Sequence, residues 1–179
     1  MGKRLPALSP VFQQFIAAQS MYFVATAASG GHVNVSPKGL DSLRVLSPGR
    51  VAWLNVTGSG NETAAHLLQS PRMTLTFCAF QGPPMVLRLY NAARMVQPND
   101  AEWAEVSALF PPLPGARQVF LLDIELVQTS CGMAVPLMDA AGQRDDLNAW
   151  AEAKGPEGLH SYRAEKNAVS LDGLPTGLS

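Results

Sequence analysis

The stretch "VATAASGGHVNVSPKGL", residues 24–40, decides how the chain is read. Residues that favour β structure lead into Ser29-Gly30-Gly31, where two glycines supply the positive φ of a turn, and a strictly alternating strand follows. The pattern predicts a β-hairpin. On its second strand Asn34, Ser36 and Lys38 share one face, while Val33, Val35 and Pro37 share the other. Residues two apart on a strand point the same way, so the polar row is about 13 Å long. Two readings fit it. The row is the solvated face of an edge strand, where lysine and proline also discourage aggregation, or it is a ligand wall that ends in a cation.

Outward from this hairpin the same pattern recurs. "SLRVL" and "RVAWLNV" flank Ser47-Pro48-Gly49, and "RMTLTFCAF" and "MVLRLYNAARMV" flank Gly82-Pro83-Pro84, which predicts two more hairpins. "RQVFLLDIELVQTS" predicts one long strand of 14 residues. Helices are predicted where Ser9 caps Pro10 ahead of Phe12, Phe15 and Ile16, in "NETAAHLLQ" up to Ser70-Pro71, in "DAEWAEVSALF" and in "DDLNAWAEAKG". About seven strands joined by tight turns favour hairpins over the long crossovers of a parallel sheet. The expected architecture is mainly β, an antiparallel barrel with helical additions. One domain is expected over residues 1–179, with an irregular and helical extension from about Cys131.

Composition narrows the function classes. With 47% hydrophobic and 15% charged residues and a formal net charge of -1, the chain shows no bias toward polyanions, so no nucleic-acid partner is expected. No apolar run reaches membrane-helix length, and prolines and glutamines break up the N-terminal stretch "MGKRLPALSPVFQQF". A cytoplasmic protein without a membrane partner is expected. Cys78 and Cys131 have no CxxC or histidine spacing around them, which points to free thiols and to no metal site.

The second candidate site is "LNVTGSGNETAAHL", where a strand runs through Gly58-Ser59-Gly60 directly into a helix. Exposed amides and the positive end of the helix dipole suit a phosphate there. Gly58-x-Gly60-x-x-Thr63 is a partial dinucleotide fingerprint, but no acidic residue follows about 20 positions on and the neighbouring strands read as hairpins, so a Rossmann unit is set aside. The competing reading is a capping box, with Ser59 as N-cap and Glu62 folding back onto its amide. His32, His66 and His160 are scattered and read as surface or packing residues, and Cys131 as a packed or pocket-lining thiol. Of Arg72, Arg88 and Arg94, the strand arginine Arg88 is the strongest candidate for a ligand or interface role.

Taken together, "FVATAASGGHVNVSPKG", "VAWLNVTGSGNETAAHLLQSPRMTLTFCAF" and "RLYNAARMV" resemble the pyridoxamine 5'-phosphate oxidase-like flavoprotein family, in its oxidase-related branch, over roughly residues 9–130. The tail "SCGMAVP…WAEAKGPEGL…AEKNAVSLDGLPTG" looks like that branch's own extension. The resemblance implies an FMN-binding split β-barrel, Greek-key-like, that forms a homodimer with FMN at the subunit interface. It further implies oxidoreductase activity on a small molecule, with NAD(P)H as a candidate electron donor. Carried onto this chain, it makes Ser36 and Lys38 contacts on the first hairpin, puts Thr57, Ser59, Asn61 and Thr63 around the phosphate, and sets Arg88 on the strand facing the flavin.

Two departures go with it. The oxidase proper carries a Ser-Arg-Lys run where this chain has Asn61-Glu62-Thr63, which leaves Lys38, Arg44 or Arg72 to supply the missing charge. The C-terminal arginine and histidine that grip pyridoxal phosphate have no match in "YRAEKNAVSLDGLPTG", so vitamin B6 oxidation is not implied. The alternative to an enzyme is a module that binds flavin, haem or another ligand for storage or sensing.

Overall fold

The structure, a computed structural model, describes residues 2–178. Ser9 caps the first helix, α1 (Pro10–Ala17), accepting from the Phe12 amide at 3.4 Å, with Pro10 in the first turn where its missing N–H costs nothing. The strands are β1 (Arg4–Leu5), β2 (Tyr22–Thr26), β3 (Asn34–Lys38), β4 (Leu43–Ser47), β5 (Arg50–Val56), β6 (Arg72–Cys78), β7 (Val86–Val96), β8 (Ala116–Asp123) and β9 (Leu126–Ser130). Helices α2 (Glu62–Gln69), α3 (Trp103–Ser107) and α4 (Asp146–Lys166) complete the order. Every named strand pair is antiparallel.

The sheet runs β3-β2-β6-β7-β8-β5-β4, with β9 joining β7 to β1. Three hairpins, β2–β3, β4–β5 and β6–β7, are the ones the turns predict, and β8 against β5 closes the path in Greek-key fashion into a split β-barrel. The split lies along β7. Its first half, Val86–Tyr90, pairs with β9, and its last residues, Ala93–Val96, pair with β8; between them Asn91 adopts a positive φ of 151°. Val24, Leu75, Phe77, Leu87, Leu89, Phe120 and Leu122 fill the barrel, and α1 adds Ile16 to that core. A smaller core around Leu54, Val96, Phe110 and Leu121 seats α3 on the other face of β5 and β8.

Three sequence expectations are corrected. The single strand of "RQVFLLDIELVQTS" is two, because the chain turns a corner at Ile124-Glu125, whose amides bond to Gly49 O at 2.8 Å and Tyr90 O at 3.2 Å. Apolar alternation continues through that corner and hides it. The helix in "DDLNAWAEAKG" runs on to Lys166, kinked at Gly155 (φ 64°) ahead of Pro156, which starts the second segment as proline starts any helix. The first hairpin's connection spans residues 27–33, wider than the three-residue turn. Gly31 is required within it. Its φ is 86°, and a β-carbon there would collide with the Asp172 carboxylate of the C-terminal extension.

Candidate functional site

β3 turns its polar face inward. Asn34, Ser36 and Lys38 are half-buried on the wall of a cavity of about 840 Å³, while Val33 and Val35 are 71% and 61% exposed on the outer face. Asn34 Nδ2 donates to Ser36 Oγ at 3.2 Å and reaches Thr63 Oγ1 on α2 at 3.5 Å, so strand and helix share one polar wall.

The junction from β5 to α2 continues that lining, with Gly58, Ser59, Gly60, Asn61, Glu62 and Thr63 all on the cavity. Here the capping box is corrected. Asn61, not Ser59, is the N-cap of α2 and makes no side-chain capping bond, and the Glu62 carboxylate accepts the Leu171 amide at 3.1 and 3.0 Å instead of folding back. The reason lies far along the chain. The extension brings a backbone donor to a carboxylate that would otherwise have only its own loop to satisfy it. Asn61 is only 2% exposed; one end of its amide meets the Asn55 amide at 3.2 Å, and the other, assigned as Nδ2, has no partner. An unpartnered buried amide on a cavity wall is costly unless a ligand completes it.

Lys38 and Arg117 line the cavity, together with Glu62 and the ion pair of Glu165 with Lys166. Arg117, buried on β8, donates from Nη1 to Asn167 Oδ1 at 2.6 Å and from Nη2 to Gly60 O at 2.7 Å, both neutral acceptors. Burial, with Arg163 nearby, pushes its guanidinium down to about 9. Lys38 Nζ lies 5.0 Å from the centroid of the Trp53 ring, which is stacked on Phe120. Burial and the charge of Arg117 push Lys38 down to about 8. Among the described residues neither cation is in an ion pair. Arg117 lowers Lys38, and a pair of cations outside any ion pair favours an anion beside them.

The residues singled out from the sequence divide accordingly. Ser36, Lys38, Ser59, Asn61 and Thr63 meet at the cavity, whereas Thr57 and Arg88 do not line it. Thr57 is fully buried behind the wall, its hydroxyl donating to Gly115 O at 2.9 Å and accepting from Arg163 Nε at 2.8 Å. Arg88 stands on β7 and donates to Ser130 Oγ at 3.0 Å. Of the cations expected to compensate, Arg44 is held by Asp41 at 2.8 Å, and Arg72 bonds to Ser70 Oγ at 2.8 Å beside a different hollow. His66 is buried, with Nδ1 3.1 Å from Thr26 Oγ1, and His32 pairs with Asp172 at 2.6 Å. Cys131 is exposed and lines none of these hollows, contrary to the pocket-lining expectation. Among the described residues no group of three His, Cys, Asp or Glu side chains could hold a metal, and no helix is long and apolar enough to cross a membrane.

Sequence reasoning misses Arg117, Arg163 and Asn167. The one signal for Arg117 is a charge amid the apolar run of β8. Asn167 and Arg163 sit in the extension, whose irregular sequence gives no hint that it folds back onto the barrel.

Fold and cavity together define a split-barrel protein with a cavity lined by a row of polar side chains and by two cations outside any ion pair. The chain belongs to the pyridoxamine 5'-phosphate oxidase family: the family's model matches residues 8–131. The pyridoxamine 5'-phosphate oxidase family protein ustO of Aspergillus flavus is 38% identical over 187 aligned residues, covering 94% of this chain and 75% of that protein. Solved structures share the fold at lower identity. HupZ of Group A Streptococcus superposes with a TM-score of 0.54 at 16% identity, over 67% of this chain and 91% of that one. HutZ, the haem storage protein from Vibrio cholerae, gives 0.50 at 16%, over 71% and 98%. A pyridoxamine 5'-phosphate oxidase-related, FMN binding protein from Nostoc punctiforme gives 0.50 at 14%, over 72% and 87%.

Proposed function

We propose that the protein is an FMN-dependent oxidoreductase acting on a small organic molecule. The observation that carries this reading is the pair Lys38 and Arg117, two cations that line one cavity and are held in no ion pair among the described residues. The residues present fit FMN. Its phosphate would be met by this charge, and its ribityl hydroxyls by Asn34, Ser36, Ser59, Thr63 and the unpartnered end of Asn61. A cavity of about 840 Å³ falls within the ~300–1,000 Å³ common for ligand pockets. FMN supplies hydride and electron transfer when bound, while the chain's own residues bind it, fix its orientation and limit solvent. A charge on Lys38 at neutral pH also favours electron-rich ligands over the Trp53 side of the cavity.

The cofactor is placed at the interface of a homodimer in this reading. The exposed Val33 and Val35, on the outer face of an edge strand, support it, since an apolar strand edge is ordinarily covered or blunted. Sedimentation that shows a monomer with flavin bound removes the interface from the proposal.

Absorption of the purified protein and titration with FMN test the cofactor. A colourless protein with no saturable FMN binding overturns the reading. Turnover of the loaded protein with NADPH or NADH then separates an oxidoreductase from a binder. The binder reading has one specific observation in its favour, the Glu62 carboxylate on the same wall. None of the three histidines lines the cavity, so a haem held by histidine within one chain has no support there.

A further inference from the structure

A second cavity of about 670 Å³ adjoins the first and shares with it the wall Pro37, Lys38, Gly39, Leu40 and Leu147. Its other apolar surfaces are Ala18 and Met21 at the end of α1 and start of β2, Phe80 after β6, and Met138 and Ala140 from the extension. Phe80 and Met21 are half-buried, and Met138 is 48% exposed.

Several polar side chains around this chamber are already hydrogen-bonded within the protein. Gln143 accepts the Leu40 amide at 3.1 Å and donates to Ser20 O at 2.9 Å. Gln81 donates to Asp139 at 2.7 Å, and Gln19 donates to Phe15 O at 2.9 Å. The Met138 amide bonds to Phe80 O at 3.0 Å. These bonds hold residues 138–143, which have no regular structure, as a fixed wall and not as a free loop. Gly39 is part of the fit, because a β-carbon there would stand 2.8 Å from Gln143 Oε1. What the chamber leaves for a ligand is apolar surface from Met21, Phe80 and Met138 and two cations, Lys38 on the wall shared with the first cavity and the exposed Arg144, whose Nη1 lies 3.7 Å from Asp146.

We infer that this chamber is the substrate site, and that its substrate is a flat, largely apolar organic molecule carrying one anionic or hydrogen-bond-accepting group toward Lys38. The assignment of substrate rests on the cofactor reading given above. Thioether and ring surfaces favour an aromatic body. Gln143 uses both ends of its amide and Gln81 and Gln19 use their nitrogens, so few hydrogen bonds are left for a polyhydroxylated body, which would lose its water with little replacement. Lys38, on the wall common to both chambers, is the group through which a substrate in one meets a cofactor in the other. The extension, lying beyond the family-matched residues 8–131, supplies Met138, Ala140, Gln143 and Leu147 to the chamber wall.

The probe is 1-anilinonaphthalene-8-sulfonate, an aromatic anion whose emission brightens in an apolar site, so that the chamber is read with or without flavin. In the full-length protein it is expected to bind one per chain and, when FMN is present, to perturb the flavin absorption band. Met138→Glu, on the chamber wall, is expected to lower probe affinity at least tenfold and leave FMN affinity within about twofold. Met133→Glu, at a residue 81% exposed and lining neither chamber, is expected to change neither. A probe that fails to bind, that binds equally well to Met138→Glu, or that is lost equally in Met133→Glu overturns the chamber. A probe that responds as expected in a protein with no saturable FMN binding keeps the chamber and overturns the cofactor reading, so the two failures are told apart.

Discussion

Asn167, just past the end of α4, holds Arg117 of β8: Nη1 donates to Asn167 Oδ1 at 2.6 Å, while Asn167 Nδ2 donates to Gly58 O at 3.1 Å. One buried amide therefore ties the extension both to the cation of the cavity and to the glycine loop ahead of α2. Hydrogen bonds to a charged group contribute about 1.5–3 kcal/mol. Asn167→Leu is expected to lower unfolding free energy by roughly that amount and, by letting Arg117 move, to weaken FMN binding about tenfold. Denaturant unfolding and FMN titration of the variant measure both.

Lys38 gives the cavity a pH dependence. Its value is pushed down to about 8 by burial and by Arg117, so its charge is lost as pH rises through that value. Affinity for an anion is expected to be flat from pH 6 to 7 and to fall above about pH 8, and Lys38→Met is expected to be weaker at pH 7 and to lose the dependence. The stability sign is opposite. The unfolded lysine keeps its proton to about 10.4, so between about 8 and 10.4 the unfolded state binds more protons and ligand-free stability rises with pH through this group. Titrations of FMN and thermal melts across pH 6–10 separate the two effects.

The extension is strapped to the first hairpin by His32 and Asp172, and Asp172 also accepts the His32 amide at 2.8 Å. The hydrogen bond that His32 donates to Asp172 raises the histidine, and the same bond lowers the carboxyl. A raised histidine contributes stability that is complete below its unfolded value near 6.5 and is lost as pH rises through its folded value. A lowered carboxyl contributes above its unfolded value and is lost as pH falls through its folded one. Protection of the amides of residues 169–177 is therefore expected to be greatest between about pH 5 and 6.5 and to decline toward pH 9. Hydrogen exchange across that range checks it, with Asp172→Asn expected to flatten the profile; Glu62 and His66 are the other titratable groups near this strap.

What was legible from the sequence follows from where each signal lies. The three hairpins announce themselves because turn chemistry is local, and the row Asn34, Ser36, Lys38 is visible because strand period is local. The direction in which that row faces is not. An apolar and a polar face alternate in the same way whether the polar one meets water or a cavity, and only the packing of β3 beside α2 decides. Arg117 and Asn167 lie 50 residues apart and meet only through the fold. Arg88 was the more conspicuous strand arginine, between two leucines, yet its guanidinium serves β9 through Ser130 and not the cavity.

Glu62 is the residue on which the fit of a phosphate turns. It stands in the first turn of α2, where the helix dipole favours a negative charge, and its carboxylate holds the Leu171 amide of the strap. The same carboxylate lines the cavity that Lys38 and Arg117 line. A bound phosphate would share that cavity with it, and like charges near one site oppose each other. Glu62→Gln keeps an oxygen for the Leu171 amide and removes the charge. The variant is expected to bind FMN about three- to tenfold more tightly, with the gain shrinking in high salt as the repulsion it relieves is screened. Glu62→Ala removes the acceptor as well, so it is expected to speed exchange of the Leu171 amide, which Glu62→Gln spares. FMN titrations at low and high salt, with hydrogen exchange on both variants, separate the charge from the bond; equal FMN affinity in wild type and Glu62→Gln would place the phosphate away from α2.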